Sequence, residues 1–406
     1  MARILFLAHR VPFPPNKGDK IRAFHILEHL ARRHDVWLGA CADDSADMQY
    51  LPMARERYKD ACFGLTTGVG RAAQMALGGL AGAPISVARF RHGRLAEWIG
   101  AVLEEVQPDL VYVYSSALAQ YVVGRIPAGT ALVVDFVDAD AEKWRAYSAN
   151  AGAPACWIYG REMASLVRYE KHVLDAADAG ILVSETERRL QAGFAPAGAA
   201  KLHVIPNGVD TDYFRPPETA PSARSTILFT GTMDYLPNID AVRWFAGDML
   251  PSVRRSCPEA VFQIVGAKPT PAVLALAGSP SVEVVGAVPD MRPYLFRAKV
   301  IVAPLRIARG IQNKVLEGMA AGKAVVATPQ ALDGIDAVAG RDVLVGADEG
   351  EFIAAVTDIL QGRAAPDLGA RARDYVVANH RWDETLAALD RLLARLLHHS
   401  SAQASA

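Results

Sequence analysis

Val300-Ile-Val-Ala-Pro-Leu-Arg-Ile-Ala-Arg309-Gly310-Ile-Gln-Asn313-Lys314-Val-Leu-Glu317-Gly-Met-Ala-Ala-Gly322-Lys-Ala324-Val-Val-Ala327 reads as strand, loop, helix, strand. Val300–Ala303 and Ala324–Ala327 are short, uniformly apolar runs, and Asn313–Ala321 is a helix of about two turns that Gly322 stops. Strands that are apolar along their whole length are buried on both faces. That is the pattern of a parallel sheet with helices on either side. Upstream the same rhythm holds. Ile227–Phe229, Val261–Val265 and Val282–Val285 are strand-like, with helical segments at Ile239–Leu250, Pro271–Ala277 and Met291–Ala298.

The first half repeats the pattern. Arg3–Ala8 is a strand, a Pro/Gly-rich loop follows, and Lys20–Arg33 is an amphipathic helix leading to an apolar run at His34–Ala40. Val111–Tyr114, Ala131–Phe136, Ala179–Val183 and Leu202–Ile205 carry the same signature, and Arg161–Ala176 is helical. Between the halves, "NGVDTDYFRPPETAPSARS" is rich in Pro, Thr and Ser and reads as a linker. A chain of 406 residues carries a prior of two domains. The expected organisation is an N-terminal lobe over 1–205, a linker over 206–224, a second lobe over 225–380, a helix over 381–399 and a frayed tail over 400–406.

Apolar residues make up 51% of the chain and charged residues 21%, as in a globular protein. The net charge of -1 supplies no field to recruit nucleic acid, and no nucleic-acid partner is expected. Cys41, Cys62, Cys156 and Cys257 lie far apart, without metal-ligand spacing or a disulfide framework, and read as isolated reduced thiols. No metal and no cofactor are expected. The opening apolar run of about five residues is far below a signal-peptide core. No stretch reaches the roughly 18 apolar residues of a spanning helix. The expected compartment is the cytoplasm.

Three places carry chemistry. The Gly310 loop leads into a helix N-terminus, where free N–H groups and the macrodipole favour an anion. Lys314 is unfavourable in a first helical turn unless it faces an anion, and Glu317 shares its face. A cation for a diphosphate and a carboxylate for ribose hydroxyls fit one nucleotide; the alternative is a surface Lys–Glu pair at i,i+3. The second place is "FTGTMDYLPN", with Gly231, Thr232 and Asn238, at the carboxyl end of the second lobe's first strand. Sheets of this class bind ligands there, and an ordinary turn is the alternative. The third is Pro14-Pro-Asn-Lys-Gly18-Asp-Lys20, where Gly18 is placed to cap phosphates and Lys17, Lys20 and Arg22 to add positive charge. A solvated basic turn is the alternative. There is no G-x-G-x-x-G, so a dinucleotide site lacks its fingerprint.

"VIPNGVDTDYFRP", "ILFTGTMDYLPNIDAVRWF", "VVGAVPDMRPYL", "IVAPLRIARGIQNKVLEGMAAGKAVVAT" and "LDGI" together resemble the family 4 glycosyltransferases of the GT-B fold. "AHRVPFPPNKGDKIRAFHIL" and "VVDFVDADAEKWRAYS" are similar to a narrower bacterial branch, the sugar transferases associated with exosortase and exopolysaccharide systems. The resemblance reaches to about Arg395. It implies two Rossmann-like lobes whose parallel sheets face a central cleft, and a last helix that crosses back to the first lobe. It also implies a metal-independent, configuration-retaining transfer from a nucleoside diphosphate sugar, such as a UDP- or GDP-sugar, to an acceptor hydroxyl. By the same resemblance Glu317 matches the second acid of the E-x7-E motif, expected on the donor ribose. Gly231 and Thr232 match the glycine turn near the phosphates, and Gly18 the first-lobe loop glycine. Gly310, Ile311 and Gln312, with Asn313, match the loop whose amides hold the phosphates and donor sugar.

The chain departs from this pattern in three ways. Arg309 stands where the first motif Glu is usual, and no base lies between Thr232 and Asn238 in place of the usual Arg–Lys pair. Lys314 and Arg309 are the substitutes for neutralising the leaving diphosphate. In the first lobe, "DFVDADAEKW" offers Asp135, Asp138 and Asp140 where relatives carry a His. Asp138 is the candidate contact to the reacting hydroxyl or the donor sugar, a capping role being the alternative. Glu185 is similarly placed.

Residues 51–100 hold seven Lys or Arg against three acids. With Arg71, Arg89, Arg91 and Arg94 beside small apolar residues, this segment is expected to rest peripherally on the inner membrane and meet a saccharide or polyprenyl-linked acceptor. The alternative is a helical pair with a solvated basic face. Other readings of the whole are a nucleotide-sugar 2-epimerase of the same fold and a catalytically silent, donor-binding partner subunit.

Overall fold

The computed structural model describes residues 1–67, 75, 78–79, 82–217 and 225–403. Its contacts divide the chain into two units, Met1–Ile205 with the segment from Leu386 onward, and Pro206–Thr385. Each is built on one parallel sheet, as the uniformly apolar strands require.

In the first unit the strands are β1 (Arg3–Ala8), β2 (Asp35–Ala42), β3 (Asp60–Leu65), β4 (Leu110–Tyr114), β5 (Ala131–Val137), β6 (Ala179–Leu182) and β7 (Leu202–Val204), in the order 3-2-1-4-5-6-7. The helices used below are α1 (Gly18–Ala31), α2 (Asp140–Asn150), α3 (Ala155–Ala176) and α4 (Glu185–Phe194). Strand order reverses between β1 and β4, so the crevice at their carboxyl ends is where this architecture binds ligands. The loop to Gly18 leaves β1 there, and Asp138 follows β5, one strand further on.

The second unit repeats the scheme. Strands β8 (Thr226–Thr230), β9 (Val261–Val265), β10 (Val282–Gly286), β11 (Val300–Ala303), β12 (Ala324–Ala327) and β13 (Leu344–Val345) lie in the order 10-9-8-11-12-13, all parallel. Order reverses between β8 and β11. The Gly231 turn leaves β8 and leads to α5 (Leu236–Trp244). The Gly310 loop leaves β11 and leads to α6 (Asn313–Ala320). Both second-lobe motifs thus flank one switch point.

Some features differ from the sequence reading. β3 begins with an Asp and contains a Gly, and β13 has two residues; neither offers an apolar run long enough to read. The helix expected over 239–250 is part of a run from Leu236 to Ser256 with a π-helical turn at Phe245–Met249. Residues 206–217, read as linker, pack within the second unit. Val209 N–H donates to the His380 carbonyl at 2.7 Å, and Arg373 donates to the Thr211 carbonyl at 3.0 Å. The buried residues Asn207 and Thr211 take part in such contacts, while Asp210, Asp212 and Arg215 face solvent. The last helix, α7 (Trp382–Gln403), runs past Leu397, and from Leu386 it belongs to the first unit. There His29 Nε2 meets Asp390 at 2.7 Å.

Two cations expected to face a ligand are used internally. Lys20 is buried and pairs with Asp47 at 2.8 Å, and Arg22, 1% exposed, pairs with Asp135 at 2.9 Å. Tyr112 also donates its hydroxyl to Asp135 at 2.9 Å. Desolvated charges need this compensation, and removing one partner strands the other. Asp135→Ala is expected to destabilise the chain by about 3–5 kcal/mol in urea unfolding. The double change Arg22→Met with Asp135→Leu should cost less, because no charge is left buried.

Candidate active site

In the second unit, β8 ends at Thr230 and the chain turns at Gly231, whose φ of 151° favours glycine. A Cβ there would lie 2.7 Å from Asn238 Nδ2 and 3.4 Å from Lys314 Nζ. The ammonium therefore sits directly under the turn. Gly266, after β9, approaches still closer: a Cβ on it would fall 1.6 Å from the Gly231 carbonyl oxygen. This partner was missed in the sequence, although a glycine at the end of the neighbouring strand is a legible signal for it.

Lys314 is 8% exposed. Its Nζ donates to Asn238 Oδ1 at 2.5 Å and stands 4.4 Å from the Phe229 ring centroid. Asn238, also buried, donates its Nδ2 to the Thr232 carbonyl at 2.8 Å, so both ends of its amide are engaged. No ion pair joins Lys314 to Glu317 among the described residues, so the surface-pair alternative does not describe them. Burial pushes the Lys314 ammonium down to about 7, partly offset by the Glu317 charge. Burial likewise pushes the Glu317 carboxyl up to about 7, against the pull of Lys314. Among the described residues none donates a hydrogen bond to the Glu317 carboxylate, leaving its acceptor capacity open.

The β11–α6 loop supplies the rest. Gly310 adopts φ 58°, and Gln312 Nε2 donates to the Arg309 carbonyl at 2.9 Å, tying the loop to the helix start. No side chain caps α6, and its N-cap, Gln312, is extended. An uncapped helix start beside a glycine is suited to an anion. Ile311 is buried and Arg309 half-buried. Asn313 Oδ1 accepts from Asn207 at 3.3 Å, which anchors the loop to the segment before β8.

In the first unit, Gly18 opens α1 and is exposed, while Lys17 precedes it as an uncapped N-cap. Asp138 follows Val137, which holds φ 69°. A β-branched residue in the left-handed region is strained, and such strain clusters at functional sites. Asp138 Oδ1 is buried without a hydrogen-bond partner among the described residues. Burial pushes its carboxyl up to about 7, and Glu187 and Asp140 push the same way. Nearby, Glu170 is pushed up to about 8 by burial while Ser116 donates to it at 2.9 Å. Asp140 pairs with Lys143 at 2.7 Å. Glu185 is bound by Arg188 and Arg189, while Ser184 before it caps the helix by accepting from the Glu187 amide. Of the basic segment, Arg71 lies outside the described residues; Arg91 and Arg94 are exposed.

A lysine whose folded pKa lies near 7, below its ordinary 10.5, binds fewer protons folded than unfolded between these values. Stability contributed by this site therefore rises with pH across that window and is lost as pH falls towards 7. Urea unfolding of Lys314→Met is expected to show a flatter pH dependence from about 7 to 10 than the wild type. Parallel profiles would remove the buried ammonium.

Residues 20–213 match the family model described as Glycosyltransferase Family 4, and residues 224–362 the model described as Glycosyl transferases group 1. Comparison with curated proteins found no match. Among solved structures, the sucrose-phosphate synthase of Thermosynechococcus elongatus is similar with a TM-score of 0.74 at 18% identity, covering 98% of this chain and 100% of that one. HepE of Anabaena in complex with UDP-glucose gives 0.68 at 14% identity over 97% and 100% of the chains. The UDP-forming trehalose-phosphate synthase of Burkholderia xenovorans gives 0.63 at 14% over 98% and 99%. At these identities the likeness is one of fold. The two family models account for most of the chain and the fold agrees with both: the chain is a nucleotide-sugar-dependent glycosyltransferase of the two-lobed GT-B fold.

Proposed function

We propose that the second unit binds a nucleoside diphosphate sugar at the β8–β11 switch point, and that the enzyme transfers the sugar with retention of configuration. The observation that carries this is the buried Lys314 ammonium under the Gly231 turn, beside a Glu317 carboxylate that no described residue hydrogen-bonds. In this reading the diphosphate lies over the Gly231 turn and the start of α6, with the amides of Gly310, Ile311, Gln312 and Asn313 as donors. Thr232 contributes from the turn, and Asn238 acts by positioning Lys314. Glu317 accepts from the ribose hydroxyls. HepE, similar in fold, was solved with UDP-glucose, which favours a UDP-sugar as the first donor to test.

In the transfer, the bond from the anomeric carbon to the diphosphate breaks as the acceptor oxygen bonds to the same face. The acceptor proton passes to the departing phosphate oxygen, so no enzyme nucleophile is needed. Lys314 and Arg309 stabilise the charge that develops on the leaving diphosphate, without a metal. The first unit is read by itself as the acceptor side, with Asp138 as its contact to the acceptor hydroxyl. The acceptor is a saccharide or polyprenyl-linked glycan in exopolysaccharide assembly of the exosortase-associated kind, met at the inner membrane.

A thermal-shift screen against nucleoside diphosphates and their sugars is expected to show stabilisation by at least one nucleotide, about 2.7 kcal/mol at a hundredfold excess over Kd. Glu317→Gln should weaken that nucleotide by roughly tenfold or more, since it removes charged acceptors for two hydroxyls. No response to any nucleotide would overturn the proposal. Asp138→Asn is expected to lower turnover by roughly 10–100-fold at unchanged nucleotide affinity, the cost of weakening one hydrogen bond from the acceptor hydroxyl to a charged group. Turnover within twofold of wild type would remove Asp138 from the reaction.

A further inference from the structure

α2 and α3 form a helical hairpin in the first unit. From Ala146 to Gly160 the sequence is "AYSANAGAPACWIYG", fifteen residues without a charge, bounded by Arg145 and Arg161. An uncharged stretch of this length normally lies in a core. Here Trp157 is 74% exposed and Ile158 52%, and Gly152, Ala153 and Pro154 at the tip are exposed as well. Both flanking arginines are exposed.

This exposure is held in place by packing. Behind the tip, the rings of Trp144, Tyr147 and Tyr159 form a cluster with centroids 5.6–5.9 Å apart. Ser148 donates to the Cys156 carbonyl at 2.9 Å, closing the hairpin end. Below them, Glu162 accepts from the Ile85 and Ser86 amides at 2.8 Å, fixing α3 to the segment that carries Arg91 and Arg94.

We propose that the hairpin tip, residues 151–160, is a membrane-docking finger that places Trp157 and Ile158 in the interface of an anionic bilayer. The inference rests on the reading above that the acceptor is met at a membrane, and it locates the contact on residues other than the basic segment expected from sequence. Three features favour a bilayer. The tip carries no charge to desolvate, and surface arginines flank it, Arg145 paired with Glu142 and Arg161 bonded to the Gly79 carbonyl. The exposed tryptophan is a side chain that settles at a membrane–water interface. The bulky part of the patch is two side chains, well short of the roughly 1,200–2,000 Å² that a stable protein interface buries. The chain's own Ser- and Ala-rich end, residues 400–406, has no bulky side chain to cover it.

The test is sedimentation of the full chain with vesicles of phosphatidylcholine alone and with added phosphatidylglycerol. The wild type should bind the anionic vesicles, and the double variant Trp157→Ala, Ile158→Ala should bind about tenfold or more weakly. Trp157→Phe should remove a vesicle-induced blue shift of tryptophan emission. Nucleotide-induced thermal shift, unchanged in the double variant, reports that it is folded and separates this inference from the donor site. Vesicle binding that survives loss of any nucleotide response would uphold the finger on its own. Equal binding by wild type and variant, or no wild-type binding, would overturn it. So would a wild-type dimer that the substitutions dissolve, which would assign the patch to a second copy.

Discussion

An ammonium group taken out of water without a carboxylate at ion-pair distance is costly, and the second unit is arranged around one. Lys314 is held by a single amide oxygen and the face of Phe229. Such an arrangement persists only when its neighbours are fixed. Asn238 is fixed by its bond to the Thr232 carbonyl and by the start of α5. Phe229 is fixed in the sheet. Gly231 must lack a side chain because the amide and ammonium fill the space beneath it, and Gly266 must lack one because the Gly231 carbonyl fills its own. Two glycines, an asparagine and a phenylalanine thus follow from one charge. A diphosphate arriving above it would meet an amine that is already desolvated and would favour its charged form.

The two units solve the same problem with opposite charge. Both reverse strand order beside their first strand, and both place irregular backbone at that edge. In the second unit the buried group is a cation. In the first it is a set of carboxyls, Asp138 and Glu170, pushed towards neutrality by burial and by one another's neighbours. The strained Val137 sets the direction in which Asp138 leaves its strand. A carboxyl held near neutral pH can both donate and accept hydrogen bonds, whereas a depressed lysine gains charge beside an anion.

Much of this was legible because buried parallel strands write themselves as apolar runs. β1, β4, β5, β9, β11 and β12 fall within a residue of where Ile, Leu, Val and Phe cluster. β3 did not, since Asp60 and Gly64 break its run. The strand-end glycines were also legible, because Gly231 and Gly310 follow apolar runs and precede helices. Side-chain pairing was not. Lys20 and Arg22 look like solvated cations in sequence, yet their partners, Asp47 and Asp135, lie 27 and 113 residues away. Nor does spacing tell that Lys314 turns from Glu317 towards Asn238, 76 residues earlier. Exposure of Trp157 depends on which face of α3 meets α2, which an uncharged stretch leaves undetermined.

In this reading Lys314 meets the donor's diphosphate. Calorimetric titration with UDP at about pH 8, in buffers of differing ionisation enthalpy, measures the protons exchanged on binding. With its pKa near 7, free Lys314 is largely neutral there, and an adjacent diphosphate would recharge it. Uptake approaching about one proton per nucleotide is expected, and it should be lost in Lys314→Met. Binding without proton uptake, or uptake that persists in the variant, would contradict it.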